Sequence, residues 1–169
     1  TAGTPEISPD GRYLCYASTD DSGDFDIYVR EATAAGVGKS LWESPSYETG
    51  CRISPDGRWF AYSSNETGVL NVFVRSFPDG RQKHQISLEG GQRPAWRGDG
   101  RELYYLAPDG QLFAVALRLT SGLAVEARER LFAAPVDMTL GTPGTGLYDP
   151  ARDGQRFVML VPTSEVPQP

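Results

Sequence analysis

The chain has 169 residues, 39% of them hydrophobic and 22% charged, enough apolar material for one core and too little length for two independent domains. Its 16 basic and 22 acidic side chains leave a net charge of −6 with Arg and Lys scattered, which argues against a sequence-independent grip on nucleic acid. No run of about 18 apolar residues and no leader-like opening occurs, so no segment is expected to insert directly into a membrane.

In chain order, the first predicted element is a short strand over PEIS (5–8), which runs into the turn Ser8-Pro9-Asp10-Gly11. Proline presets φ at the first central position of such a turn, Asp accepts hydrogen bonds from nearby backbone N–H groups, and Gly takes the left-handed conformation that follows. A nearly continuous apolar strand, YLCYAS (13–18), comes next, then a turn carrying Gly23, a third strand DIYVR (26–30) and a fourth segment KSLWE (39–43). The whole series then begins again. CRIS (51–54), a second ISPDGR (53–58, after 7–12), WFAYSS (59–64), a turn with Gly68, NVFVR (71–75) and HQISL (84–88) repeat the same order.

A third unit consists of RPAW (93–96), WRGDGR (96–101), ELYYLA (102–107), Gly110, QLFAV (111–115) and VEARERLF (125–132). A fourth opens with PARDGQR (150–156) and RFVMLV (156–161) before the polar tail TSEVPQP (163–169). The anchors Asp10, Asp56, Asp99 and Asp153 lie 46, 43 and 54 residues apart, the period range of propeller blades. Strands without polar alternation are expected where both faces of a sheet are covered, as stacked blades require. The fold expected is therefore all-β: one partial propeller over 1–169, with antiparallel four-stranded blades at about 4–46, 47–89 and 90–143 and an incomplete one at 144–169. Arg97-Gly98 and Ala151-Arg152 replace Ser-Pro in the third and fourth turns, and those blades are expected to bend differently.

The combination of SPDGR, an aromatic second strand, a Gly-containing turn and DIYV resembles the WD40-like (PD40) repeat of TolB-type β-propellers over essentially the whole chain. The stretch from LFAVAL (112–117) through ERLF to YDPARDGQRFVMLVP (148–162) is further similar to the closing part of propellers appended to bacterial serine/threonine kinases. The resemblance implies a non-catalytic scaffold that binds a protein or a small polar ligand as the sensory or interaction module of a larger bacterial protein, in the periplasm or another extracytoplasmic site. The alternative is a propeller that gates substrate entry to a serine peptidase of the prolyl-oligopeptidase type. A ring of roughly six to eight blades cannot be closed by this chain alone, so it is expected either to continue in a longer polypeptide or to form a homo-oligomer.

Candidate chemistry is sparse. Asp10-Gly11, Asp56-Gly57, Asp99-Gly100 and Asp153-Gly154 share one place in one turn, so a structural role accounts for all four at once. The acidic run DDSGDFD (20–26) lacks the spacing of a twelve-residue calcium loop, and neither a metal nor another cofactor is expected. In the repeat register Cys15 aligns with Ala61, and Cys51 with Pro5 and Pro94, so two buried, inert thiols are expected. His84 is the only histidine, and no GxSxG, GxxxxGK or HExxH is present; an enzyme is not expected. Four residues before each anchor stand Glu6, Arg52, Ala95 and Asp149, polar in three repeats although the innermost strand carries them. With Arg93 and Tyr148 from the adjoining loops, they form the candidate recognition surface for a polar or zwitterionic partner at the axial channel.

Overall fold

The structure is a computed structural model describing residues 5–19, 23, 25–33, 38–40, 44–119, 122–137 and 146–161. A first sheet contains β1 (Glu6–Ile7), β2 (Tyr13–Thr19), β3 (Phe25–Glu31) and β4 (Lys39–Ser40). The second contains β5 (Glu48–Ile53), β6 (Trp59–Ser64), β7 (Asn71–Ser76) and β8 (Lys83–Gln85). The third contains β9 (Gln92–Trp96), β10 (Glu102–Leu106), β11 (Gln111–Arg118) and β12 (Ala124–Ala133), and β13 (Tyr148–Pro150) pairs with β14 (Phe157–Met159). Every pairing is antiparallel between strands consecutive in the chain. The described residues form an all-β partial propeller of three four-stranded blades and two strands of a fourth.

The core is a series of apolar layers between successive blades. Cys15, Ala17, Ile27 and Val29 of the first sheet meet Phe60, Tyr62 and Phe73 of the second. On the opposite face of that second sheet, Trp59, Ala61, Val72 and Val74 meet Leu103, Tyr105, Val115 and Leu117 of the third. Side chains alternate across a strand, so β6 sends Phe60 and Tyr62 one way and Trp59 and Ala61 the other, and all six of its residues are buried. The apolar run over its first four residues, Trp59–Tyr62, is the consequence. The third layer joins Tyr104, Leu106 and Leu112 to Leu147, Tyr148, Phe157 and Met159.

The repeated turn has one hydrogen-bond scheme. The Oδ1 atoms of Asp10, Asp56, Asp99 and Asp153 each accept from the backbone N–H two residues on, at 3.0–3.1 Å. Gly11, Gly57, Gly100 and Gly154 each donate their N–H back across the turn at 2.8–2.9 Å, with φ between 69° and 74°. The third and fourth turns therefore keep the geometry of the first two, contrary to the expectation from their missing prolines. Asp and Gly suffice to close the turn, and proline only restricts the unfolded chain.

What changes is the neighbourhood. Ser8 and Ser54 each donate Oγ–H to the anchor carboxylate at 2.6 Å and accept the N–H of Tyr13 or Trp59. In the third turn Arg97 substitutes electrostatically, with its guanidinium near Asp99 (3.5 Å) and Glu102 (3.2 Å). A Cβ at Gly98 would collide with the side chain of Arg152, so the proline lost from one turn makes room for the arginine that replaces it in the next.

The cysteines correct the sequence reading. Cys15 and Cys51 form a disulfide with a Cα–Cα separation of 6.1 Å, crossing from β2 of the first blade to β5 of the second. Repeat alignment compares equivalent places within blades and does not show which places face each other across a blade junction. Of the acidic run, residues 20–22 and 24 lie outside the described residues, and Asp26 is buried on β3. Among the described residues no group of three or more metal-ligating side chains occurs.

Two stability predictions follow from these contacts. Replacing Cys15 and Cys51 by Ala should lower unfolding free energy by about 2–5 kcal/mol, the range for removing a native disulfide, and denaturant titration that finds no loss would refute the cross-blade clasp. Gly57→Ala should cost about 1 kcal/mol through its φ of 69°, since the added Cβ meets only ordinary contact with Pro9 at 3.6 Å. An unchanged thermal midpoint would count against that assignment.

Candidate functional site

The innermost strands of a propeller converge on its axis, so equivalent positions in successive blades approach one another. Glu6, Arg52, Ala95 and Asp149 accordingly line a single cavity of about 170 Å³, with Ile53, Pro55 and Trp96 completing its wall. A second cavity of about 320 Å³ adjoins it through Arg52 and Asp149 and is lined by Gly146, Leu147 and Tyr148. Ala95 is the one short, apolar side chain among these four equivalent positions.

Arg52 is the centre of this arrangement. Its Nη1 lies 3.2 Å from Glu6 Oε2, a pair whose side chains retain 37% and 26% exposure and which therefore contributes at most about 1 kcal/mol. A Cβ at Gly146 would come within 2.8 Å of Arg52 Nη2, so glycine there lets the guanidinium lie against the backbone. Asp149 is exposed. The cavity lining thus holds one guanidinium paired with the Glu6 carboxylate and a second, exposed carboxylate on Asp149.

The junctions between inner strands are stitched by side chains. Glu6 Oε1 accepts from Ile53 N–H at 2.8 Å, Trp96 Nε1–H donates to the Arg52 carbonyl at 2.8 Å, and Tyr148 O–H donates to the Arg93 carbonyl at 3.0 Å. Each bond joins one blade to the next. Two positions from the sequence reading are corrected here. Arg93 and Tyr148 stand on β9 and β13 and not on loops, and Tyr148 is buried, its phenol held well above the ordinary pKa of 10.0 by burial. Tyr148 fastens the fourth blade to the third and offers little accessible surface. Arg93 has φ of 57°, left-handed backbone at a residue other than Gly, and burial lowers its guanidinium's pKa.

The sequence reading missed Trp96 and Glu48. Trp96 extends the axial network through its indole, and Glu48 is fully buried at the start of β5. Both stand on innermost strands, one position after Ala95 and four before Arg52, outside the register that singled out the other positions.

No family model matches the chain. An uncharacterised protein of Agrobacterium fabrum is 29% identical over 67% of this chain and 42% of its own length. Among solved structures, TolB of Acinetobacter baumannii superposes with a TM-score of 0.72 at 18% identity, covering 96% of this chain and 38% of that one. A TolB-like protein of Agrobacterium tumefaciens gives 0.67 at 22% identity, covering 95% and 54%. A puromycin-hydrolyzing peptidase of Mycobacterium tuberculosis gives 0.61 at 20% identity, covering 90% and 27%. The chain is a β-propeller domain. It spans 42% of the curated relative and about half or less of each of these propeller structures.

Glu6 supplies a test of the site's electrostatics. Burial raises its pKa above the ordinary 4.5, against the lowering pull of Arg52 and the Ile53 N–H. A carboxyl that binds its proton more tightly when folded contributes stability that is complete below the unfolded pKa and lost as pH rises through the folded one. The melting temperature of the wild type relative to Glu6→Gln should therefore fall as pH rises from 4.5 towards neutrality. Asp10, held below the ordinary 3.8 by the Ser8 hydroxyl and the Arg12 N–H, acts in a separate, more acidic window. A pH-independent difference between wild type and Glu6→Gln would overturn the burial argument.

Proposed function

We propose that this propeller is a non-catalytic binding module of a larger bacterial protein, of the TolB-type WD40-like repeat group, taking a polar or zwitterionic partner at its axial cavity. The observation that carries this reading is the convergence of Glu6, Arg52, Ala95 and Asp149 on one partly solvated cavity with opposite charges side by side. Paired charges of both signs at a cavity mouth match a partner that carries both and penalise a purely apolar one. His84 does not line that cavity; its ring packs edge-on against Trp59, with centroids 5.9 Å apart. The Cys15–Cys51 disulfide suits an oxidising compartment outside the cytosol. The resemblance of the sequence over 112–162 to kinase-appended propellers is the reason we favour a sensory module as the form of this reading. The rival reading, a propeller gating a serine peptidase, requires an α/β-hydrolase domain on the same polypeptide, and detection of one would replace ours.

The remaining blades of the ring are expected to stack on the apolar positions left open, Ile7 at one end (55% exposed) and Val158 and Leu160 at the other (75% and 56%). They come either from a longer polypeptide or from a second copy. Light scattering of the chain should show self-association with rising concentration, and a well-folded monomer throughout would exclude the second copy.

Cross-linking capture from a bacterial envelope extract, followed by titration of the recovered partner, tests the binding reading. Arg52→Ala and Asp149→Ala should each weaken that partner at least about tenfold while the melting temperature changes little. Equal affinity for both variants and the wild type would remove the axial cavity as the site.

A further inference from the structure

A separate cavity of about 350 Å³ opens between the second and third blades, away from the axial strands. Its origin is a mismatch in strand length. The outer strand β8 has 3 residues whereas β12 has 10, so only the segment after Gln85 covers the corresponding face of the third blade. Ile86 is fully buried against that face, but Leu88 is turned out at 63% exposure, leaving a wedge walled by Leu88, Glu89, Pro108, Phe113 and Arg128 and floored by Tyr105.

The wedge is rigidly built. Asn71 Oδ1 accepts from Ser87 Oγ at 2.8 Å and from Gly90 N–H at 3.0 Å, and Ser87 Oγ accepts from Val72 N–H at 2.8 Å. Asn71 and Ser87 are buried at 2% and 0% exposure, so the segment carrying Leu88 and Glu89 is anchored from beneath. A Cβ at Gly90 would strike the Pro108 ring at 2.6 Å and one at Gly91 the Tyr105 ring at 2.8 Å, so the paired glycines let the two walls close on each other. Opposite them, Tyr105 and Phe113 form a cross-strand stack with centroids 5.3 Å apart and planes 5° apart.

The charges of the wedge are not neutralised internally. Arg128 Nε donates to the Ile86 carbonyl at 2.9 Å, which fixes the guanidinium, and among the described residues no carboxylate lies within 4.0 Å of it. Its two terminal amino groups are then available for a bidentate acceptor, and carboxylate is the geometry that fits. Glu89 and Asp109 stand on the rim, Asp109 with Oδ1 engaged by Gln111 N–H at 3.1 Å. Apolar floor, one guanidinium and two carboxylates form the pattern of a pocket that fixes a small ligand by a few placed polar groups.

We propose that this wedge binds a free amino acid with an aromatic or branched apolar side chain. Arg128 takes the α-carboxylate, the Tyr105–Phe113 stack with Leu88 and Pro108 takes the side chain, and Glu89 and Asp109 take the ammonium. The rim carboxylates disfavour a phosphate or other polyanion at the same place.

Backbone-amide NMR of the chain with three probes tests the assignment: L-phenylalanine, N-acetyl-L-phenylalanine, which lacks the ammonium, and L-phenylalaninamide, which lacks the carboxylate. Saturable shifts around residues 88–90 and 107–113 are expected, with L-phenylalanine about tenfold tighter than either analogue, as for loss of one charge-assisted contact. Arg128→Gln should abolish the preference over the amide, and Glu89→Gln should reduce the preference over the N-acetyl compound, with Asp109 still facing the ammonium. Leu88→Glu, at an exposed position where folding is not at stake, should weaken L-phenylalanine about tenfold by putting a charge against its apolar side chain. Arg81→Gln, on the exposed turn after β7, should change nothing. Absence of saturable shifts with all three probes at millimolar concentration, or an unchanged order of preference in Arg128→Gln, would overturn the proposal.

Discussion

Burial of both faces of each sheet is the constraint from which the rest of this molecule follows. A four-stranded sheet with Phe60 and Tyr62 on one face and Trp59 and Ala61 on the other has no solvated side, so it exists only between two neighbours. Stacking successive sheets in this way rotates them about an axis and draws their first strands together. The axial cavity is thus a by-product of core formation, and the four residues lining it from equivalent positions meet there because the same turn sets the register of each blade.

That turn is also why the architecture was legible without coordinates. Its closure depends on a carboxylate accepting from the N–H two residues ahead and on a glycine at positive φ, both local requirements written in adjacent residues. The same chemistry reappears where the repeat does not demand it. Asp79 accepts from Arg81 N–H and Asp109 from Gln111 N–H, so Pro-Asp-Gly at 78–80 and 108–110 closes the connections from β7 to β8 and from β10 to β11. Asp-Gly therefore marks a tight turn, and only its combination with the strands around it marks a blade.

What stayed hidden lies across blade junctions. The disulfide joins a second strand to the first strand of the next blade, and Tyr148 reaches from the fourth blade to a carbonyl of the third. Aligning repeats places residues within a blade and is silent about the angle between blades, on which both contacts depend. For the same reason the candidate site was half legible. Its positions on the innermost strands could be counted from the anchors, whereas the stitching roles of Glu6, Trp96 and Tyr148 required knowing which backbone groups the neighbouring strand leaves unpaired.

Those stitches bear on what the axial site can recognise. An innermost strand pairs on one side only, and its remaining N–H and C=O groups face the axis, where each needs a partner or water. Glu6 satisfies Ile53, and Trp96 satisfies Arg52, so polar groups that look available in the sequence are already engaged in holding the blades. The charge left for a partner is what the stitching does not use: the outer part of the Arg52 guanidinium and the exposed carboxylate of Asp149. A ligand that competed for Glu6 would have to replace a backbone hydrogen bond as well as an ion pair. In the binding role proposed for this domain, a partner would therefore meet the Arg52 and Asp149 side, where the larger of the two adjoining cavities lies.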